Sequence, residues 1–560
     1  MANAHAQCSA DAGLDSRAAE IGRLYAAHAW DDVVARVSAM PDRTPDVDFQ
    51  YGMALGHLRR WAKARDALEE GRRRCPHDKR FPIELAGISF QEKRYADAAS
   101  WLWRGLKLDP FESYALNFAG TEEYLLGNLP AALKYWNRVG KPEIAQLQMD
   151  PGLHADRLLV ERAIVFAPTQ VMRLSELETS EARIAGLGIF PAFNLRLAAG
   201  SDGKFNAEFN ALERDGFGDG RMQELVSVFS GLPYETVYPS YYDIGRGAMN
   251  AESLLRWDAQ KRRVWLALSA PLRALPQWRW QMVTDERAEN WAIRQSFAGP
   301  APVLGSLRLT RELAAATLTD FASGRETWRI GAEGSHRDFT RVNYGSALNT
   351  HLITPGYEAK VRATIDEKIL DVPERSFSLT AGGGAEMARL WAAQPSLFAK
   401  VTGAAEMRWT PGTAGKWQWR ERLRAGGVAG RAPFDELYML GVERDNDLWL
   451  RGDIGTRDGM KGSSPLGTRY LLANSDMVRR AYSNGLIAIV AGPLLDVGRA
   501  TAPTAGLSPR EWLFSAGAEV KLNVLGTSVV LTYGRDLRRD TNAFYGAAEQ
   551  PGAMASGTAW

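Results

Sequence analysis

The sequence predicts a multidomain chain: an all-α helical solenoid, a small α/β module and a carboxyl-terminal β-barrel of about sixteen strands. Three patterns in the 560 residues carry that expectation. Residues 16–150 repeat on themselves at a step of 34, residues 157–215 read as a helix followed by two alternating strands, and residues 220–560 alternate apolar and polar side chains nearly to the end. Residues 1–15 are set apart as a residual leader or disordered terminus. "MANAHAQCSA" lacks a basic region before an apolar core, yet Ala4-His5-Ala6 has the small-x-small form of a signal-peptide end.

Composition narrows the function classes. A hydrophobic share of 45% is enough to build cores throughout, so the chain is not a disordered one. The net charge is only +2, from 68 basic and 66 acidic residues, and this gives no overall field for nucleic acid. Two cysteines, Cys8 and Cys75, cannot make a structural zinc site, and the seven histidines form no HxxxH or HExxH pair. No metal and no cofactor is expected, and Cys75, beside Pro76, reads as a packing residue. No run of eighteen apolar residues occurs, which excludes a spanning helix but says nothing against a barrel.

In the amino-terminal part the step of 34 stacks Gly52, Ala86 and Gly120 in one column, and Ala64, Ala98 and Ala132 in a second. Pro76 and Pro110 make a third column, and Trp61, Tyr95 and Leu129 a fourth. Small residues let two helices cross closely, and proline stops the second helix. This pattern resembles the tetratricopeptide repeat, with a looser unit around Trp30 at the start. Such arrays bind a partner along one face, although the fold alone does not name it.

In the next segment "VERAIVFAP" reads as a strand, and "RLSELETSEARIAGLGIF" as a helix stopped at Gly188. The strands "AFNLRLAAG" and "KFNAEFNALERD" follow, joined at Gly200-Ser201-Asp202-Gly203. The order of helix, "LGIF", strand, turn and strand resembles a single, shortened POTRA domain. A plain structural linker remains the other reading.

Farther on, "LLRWDAQKRRVWLALSAPL", "GKWQWRERLRAGGVAG", "LFSAGAEVKLNV" and "TSVVLTYGRDL" have period two. Phe514, Ala516, Ala518, Val520 and Leu522 share one face, and Ser515, Glu519 and Lys521 the other. A soluble sandwich would alternate in the same way, but the length of this region favours a barrel with lipid outside and a wet lumen. Eighteen tryptophans and seventeen tyrosines suit aromatic girdles, as they would a large soluble β domain.

"ELYMLGVERDNDLWLRGD", "GTRYLLANSD" and "GPLLDVGRA" together resemble the barrel of the bacterial surface antigen superfamily, outer-membrane proteins of the BamA, TamA and FhaC type. The resemblance implies that Leu450-Arg451-Gly452-Asp453 stands at the tip of the long sixth extracellular loop, where the superfamily has Val-Arg-Gly-Phe/Tyr. It also implies that the loop folds back into the lumen. Asp496 and Gly498, in "LLDVG", would then lie on the strand wall that receives Arg451, with Asp476 as an inward acid on the strand before. Asp453 departs from the motif's aromatic. "YGRDL" resembles the superfamily's last strand. Arg451 is therefore expected to be an anchor and not a catalyst: a guanidinium forks onto a carboxylate, and a narrow lumen makes the loss of either partner costly.

The function this implies is a non-enzymatic protein of the bacterial outer membrane that translocates or assembles a client. The repeats and the POTRA-like module would gather a protein client or partner in the periplasm, and the barrel would contact outer-membrane lipid. The alternative is an exopolysaccharide export porin, which also joins helical repeats to a barrel but needs no Arg451–Asp496 pair. A surface enzyme has the least support, since there is no GxSxG elbow or Walker loop, and "AGGGAE" at 381–386 lacks the lysine a phosphate site would need. No catalytic residue is expected.

Overall fold

The computed structural model describes residues 16–40, 43–200, 202–217, 231–294, 301–412, 416–484, 487–524, 527–539 and 541–549. The expected leader at 1–15, Ser201 of the turn and the tail to Trp560 lie outside the described residues. Two compact units are present. One holds Met1–Ala145, Thr169–Leu174 and Ala199–Phe205, the other Gln146–Pro168, Ser175–Ala198 and Asn206–Trp560.

The first unit is built from α1 (Ser16–Ala26), α2 (Trp30–Ser38), α3 (Pro45–His57), α4 (Trp61–Arg74), α5 (Arg80–Gln91), α6 (Tyr95–Leu108), α7 (Ser113–Leu125) and α8 (Leu129–Trp136). Local chemistry sets the starts of α3 and α8. Thr44 Oγ1 accepts from Val47 N–H ahead of Pro45, and Asn128 Oδ1 accepts from Ala131 N–H. The small-residue columns lie where helices meet. A Cβ on Gly52 would fall 2.6 Å from Leu68 Cγ, and one on Gly120 2.3 Å from Trp136 Cδ1, so only glycine lets these pairs close. Ala64, Ala86, Ala98 and Ala132 are fully buried, and Pro76 and Pro110 follow the ends of α4 and α6. Cys75 is also buried but is no free thiol: it is disulfide-bonded, and the only other cysteine in the sequence, Cys8, lies outside the described residues.

The three-stranded sheet of the α/β module has the order β1 (Ile144–Met149), β3 (Phe205–Leu212), β2 (Ala192–Ala199). Its first strand therefore begins inside the range expected for the array. The segment expected as a strand, "VERAIVFAP", instead begins in the helix α9 (Arg157–Ala163). Asp156 caps it by accepting from Leu158 N–H at 2.9 Å, and Leu159, Val160 and Ala163 are buried at helical spacing. Val, Ile and Ala alone could not separate a buried strand from a short buried helix. The helix expected after it is α10 (Leu174–Gly186).

The rest of the second unit is a closed antiparallel barrel. Its wall runs through β4 (Thr236–Val237), β5 (Ser240–Ile244), β6 (Met249–Trp257), β7 (Lys261–Leu272), β8 (Leu275–Arg294), β9 (Val303–Asp320), β10 (Glu326–Asn343), β11 (Gly356–Val372), β12 (Phe377–Trp391), β13 (Ser396–Trp409) and β14 (Trp417–Gly430). After a long connection containing the two-residue pieces β15 (Tyr438–Met439), β16 (Thr456–Arg457), β17 (Met460–Lys461) and β18 (Leu466–Gly467), it continues through β19 (Arg469–Ser483), β20 (Ile487–Thr501), β21 (Leu513–Val524), β22 (Thr527–Asp536) and β23 (Asn542–Glu549). Eighteen strand segments are joined in the closed sheet, β16 and β17 among them. β14 also pairs directly with β19, so the wall closes without those two. "YGRDL" lies in and just after the penultimate strand: "NAFYGAAE" forms β23, paired with β22 from Ser528↔Glu549 to Arg535↔Asn542. Alanine- and glycine-rich, β23 has too weak an apolar alternation to stand out in the sequence.

The period-two pattern has a physical outcome. Val264, Met282, Ile330, Val361, Met387, Val401, Leu423, Leu471, Leu495 and Leu531 form an exposed apolar belt, while Arg311, Glu333, Arg337, Glu358 and Lys360 are buried in the interior. The ring pairs Trp278–Trp328 and Trp409–Trp419 lie toward the end with short turns such as 273–274 and 373–376. The module packs at that same end. Arg279 Nη1 donates to Leu187 O (2.8 Å), Gly324 N–H to Thr179 Oγ1 (3.1 Å) and Lys368 Nζ to Glu178 Oε1 (3.1 Å). The opposite end carries the long connections 344–355, 431–468 and 502–512.

The helical unit offers a direct test. Its apolar clusters draw only on residues between Ala18 and Val139, so residues 16–145 should fold alone as a cooperative helical unit. Within it, Glu122 stands 34 and 68 residues after Ile88 and Ala54, both buried apolar positions, and its own buried carboxylate has no hydrogen-bond partner among the described residues. Burial, with Glu123 adjoining, pushes its pKa up to about 7. Folding therefore favours the protonated acid: the contribution is whole below about pH 4.5, the ordinary glutamate range, and is lost as pH rises through about 7. In circular-dichroism melts of this fragment, Glu122→Gln should match the parent at pH 4.5 and melt higher at pH 8. Equal melting temperatures at both pH values would refute the assignment.

Candidate functional site

The connection 431–468 joins β14 to β19, two strands already paired with each other from Trp417↔Arg479 to Gly427↔Arg469. It does not loop away from the wall. Its side chains meet β6 and β7 through Asp445, β8 through Lys461, β9 and β10 through Asp435, β11 and β13 through Glu436, and β19 and β20 through Arg451. A segment that touches inward-facing residues this far around a closed ring must cross its interior. The loop crosses the lumen.

Arg451 is 6% exposed. Its Nε donates to both carboxylate oxygens of Asp496 (3.0 and 3.1 Å), its Nη2 to Oδ1 (2.6 Å), and its backbone N–H to Oδ2 (2.7 Å). Nη1 donates to Asp476. The three residues singled out in the sequence therefore form one cluster. Asp496 also accepts from Asn474 Nδ2 at 2.7 Å, so its oxygens are fully engaged. Gly452 N–H donates to Ser515 Oγ (3.1 Å), and Gly498 lies beneath Leu450, where a Cβ would be 3.3 Å from Cδ1. A Cβ on Gly534 would fall 2.0 Å from Arg451 O, so the loop backbone rests directly on β22. Asp453 is buried 3.7 Å from Arg539.

Strand register builds the receiving surface. Asn474 pairs with Asp496, Asp496 with Ser515, and Ser515 with Asp536, so four neighbouring strands present one polar row inward. Asn474, Ser515 and Asp536 were not foreseen, because register between strands is not written in local sequence.

Two further ion-pair nodes were missed as well. Asp445 lies 2.8 Å from Arg256, 2.8 Å from Arg263 and 3.1 Å from Lys461, which in turn lies 2.6 Å from Glu289. Glu436 lies 2.7 Å from Lys360 and 3.2 Å from each of Lys400 and Arg311, and Asp435 lies 3.0 Å from Arg337. The available signal was slight: the acids of "FDELY" and "ERDND" stand in a long connection, and the strands carry scattered arginines and lysines among apolar residues. Apolar packing supplements the charges. Tyr438, Leu440, Leu448 and Leu450 join Tyr470, Leu472, Ala500 and Leu513, while Phe434, Leu437, Met439 and Leu466 join residues of β8, β9 and β10.

The arrangement is built to hold, with paired charges in place of a reactive group. No cluster of three or more histidine, cysteine or acidic side chains suited to a metal ion occurs among the described residues.

No family model matches the chain, and no curated protein matches it. Solved structures similar to it include BamA from Haemophilus ducreyi lacking POTRA domains 1-3, at 11% identity and TM-score 0.42, covering 73% of this chain and 84% of that one. CdiB from Escherichia coli is similar at 13% identity and TM-score 0.49 over 73% and 76% of the two chains. CdiB from Acinetobacter baumannii is similar at 10% identity and TM-score 0.43 over 80% and 81%.

Because Arg451 and Asp496 satisfy each other, removing either leaves a buried charge, a loss of about 3–5 kcal/mol. Arg451→Ala and Asp496→Ala should each lower the urea midpoint of the folded, faster-migrating gel band, the double variant should cost less than the sum, and Asp476→Ala should be milder. Additive losses would show that the pair is not coupled.

Proposed function

We propose that the chain is a non-enzymatic protein of the bacterial outer membrane that translocates or assembles a protein client. In this reading residues 16–150, as a tetratricopeptide-type array, and residues 157–215, as a POTRA-like module, face the periplasm and recruit the client. The barrel of residues 220–560, contacting outer-membrane lipid, exports or inserts it. One observation carries the reading: Arg451, at the place where the surface antigen superfamily keeps its loop arginine, is seated inside the barrel on Asp496 and Asp476.

Other features agree. An exposed apolar belt around a closed barrel is stable only against lipid. The α/β module packs at the end with short turns, the periplasmic end of outer-membrane barrels. Cys75 is disulfide-bonded, which fits an oxidising compartment such as the periplasm. The loop that crosses the lumen is seated through Arg451 and Asp496, a pair that a polysaccharide export porin would not need.

Three measurements decide the matter. The protein should fractionate with the outer membrane and run faster unboiled than boiled. In cells, Arg451→Ala should leave insertion intact and remove one or more proteins from the outer membrane or the culture supernatant. An unchanged protein complement with less exported polysaccharide would instead establish the porin reading.

A further inference from the structure

In the helical unit α1, α3, α5 and α7 lie side by side. A Cβ on Gly22 of α1 would come 3.9 Å from Gln50 Nε2 of α3, α3 meets α5, and the Phe90 ring of α5 meets the Phe118 ring of α7 edge to face at 5.5 Å. The small residues Gly52 and Gly120 turn toward the helices that follow them, where Leu68 and Trp136 close over them. Residues two positions earlier in each repeat, Gln50, Glu84 and Phe118, stand about 200° round their helices from that contact and form a row on the other face. Tyr114, one turn before Phe118, is exposed on the same face, with the two rings 5.9 Å apart.

Glu84 is the middle of that row. It is half-buried, and among the described residues its carboxylate has no hydrogen bond and no ion pair. Arg80, one turn earlier on α5, is already held by Asp46 and Asp78 at 2.6 Å each. Burial pushes the Glu84 carboxyl above its ordinary range, with no cation to oppose the shift. Tyr25 of α1 and Tyr114 of α7 lie near enough to feel it: burial, and then the Glu84 charge, push both hydroxyls up. Residues 1–15 contain no lysine or arginine, so they cannot supply the missing cation.

We propose that Glu84, with Tyr25 and Tyr114 at its sides, receives one lysine or arginine side chain of the client protein on the face lined by Gln50, Glu84 and Phe118. The inference rests on the reading that residues 16–150 recruit a client, and it adds the chemistry of the segment recruited. A carboxylate short of a cation accepts charge-assisted hydrogen bonds from an ammonium or guanidinium, and the tyrosine ring faces attract the same charge. Phe118 offers apolar surface beside the acid, so the basic residue is one set among apolar neighbours. With a net charge of only +2 the chain has no long-range field to gather a basic segment, and recognition falls to this one acid.

The test uses the full chain in bilayer nanodiscs and short capped peptides of alternating serine and valine, with a photoreactive leucine analogue beside the central residue. Peptides centred on arginine or lysine should crosslink to α1, α5 or α7 with roughly tenfold the yield of peptides centred on glutamine or glutamate, the worth of one charge-assisted hydrogen bond. Glu84→Gln should bring the arginine peptide down to the glutamine level, and Tyr114→Ala should lower it in part. Asp97→Asn, which removes an exposed acid of α6, should leave the yield as in the parent. Equal yields for arginine and glutamine, no crosslink within the helical unit, or an equal loss in Asp97→Asn would overturn the inference. Heat-modifiable migration and the helical circular-dichroism signal establish that each variant is folded. Where Glu84→Gln fails that check, competition on the parent decides: N-acetylarginine amide should displace the arginine peptide, N-acetylcitrulline amide, alike in shape but uncharged, should not, and equal displacement refutes the proposal. Crosslinks within the unit that show no preference for a cation remove this inference and leave the recruiting reading standing, which fractionation and the protein complement of the cells test separately.

Discussion

A charge shut away from water is tolerable only when an opposite charge meets it, and the interior of this barrel is lined with charges. Arg311, Arg337, Lys360, Arg263 and Asp496 all face inward from the wall and are buried or nearly so. The loop 431–468 brings Asp435, Glu436, Asp445 and Arg451 to meet them. Loop and wall thus depend on each other: without the loop the wall would keep stranded charges, and without the wall the loop would have no reason to enter.

Apolar packing and ion pairs divide the work along the loop. The clusters around Phe434 and Leu450 remove apolar surface from water and favour a filled lumen in general. They do not fix a register, since leucine and methionine tolerate sliding. The three charged nodes lie on different arcs of the ring, and a displacement that satisfies one would break another. The three nodes together therefore fix the loop in one register.

How much of this was legible in the sequence follows from how far each signal reaches. Features set by near neighbours have counterparts in the structure: helices over 16–136, a helix ending near Gly188, the hairpin strands, and the inward and outward faces around Phe514 to Leu522. "VERAIVFAP" failed because its few apolar residues fit both periods, and the Asp156 cap settles the matter only once the chain is seen. The last strand was missed because small residues give almost no alternation. Arg451, Asp476 and Asp496 were found through motif resemblance and not through geometry. Asp435, Glu436 and Asp445 were missed because their partners lie some 16 to 189 residues away along the chain, at registers that only the closed barrel defines.

Asp453, beside the seated arginine at the loop tip, has a physical role of its own. Asp453 is buried beside Arg539, which also lies 3.9 Å from Asp536, in the turn joining β22 to β23. Its backbone serves too, with Val442 N–H donating to Asp453 O at 2.8 Å. An aromatic contact could be made against any apolar wall, but an aspartate must face its arginine, and that arginine belongs to the last hairpin of the barrel. The acid thus makes a specific tie where an apolar contact would be general. It ties the loop tip to the turn between β22 and β23, next to the wall on which Gly534 of β22 receives the Arg451 backbone.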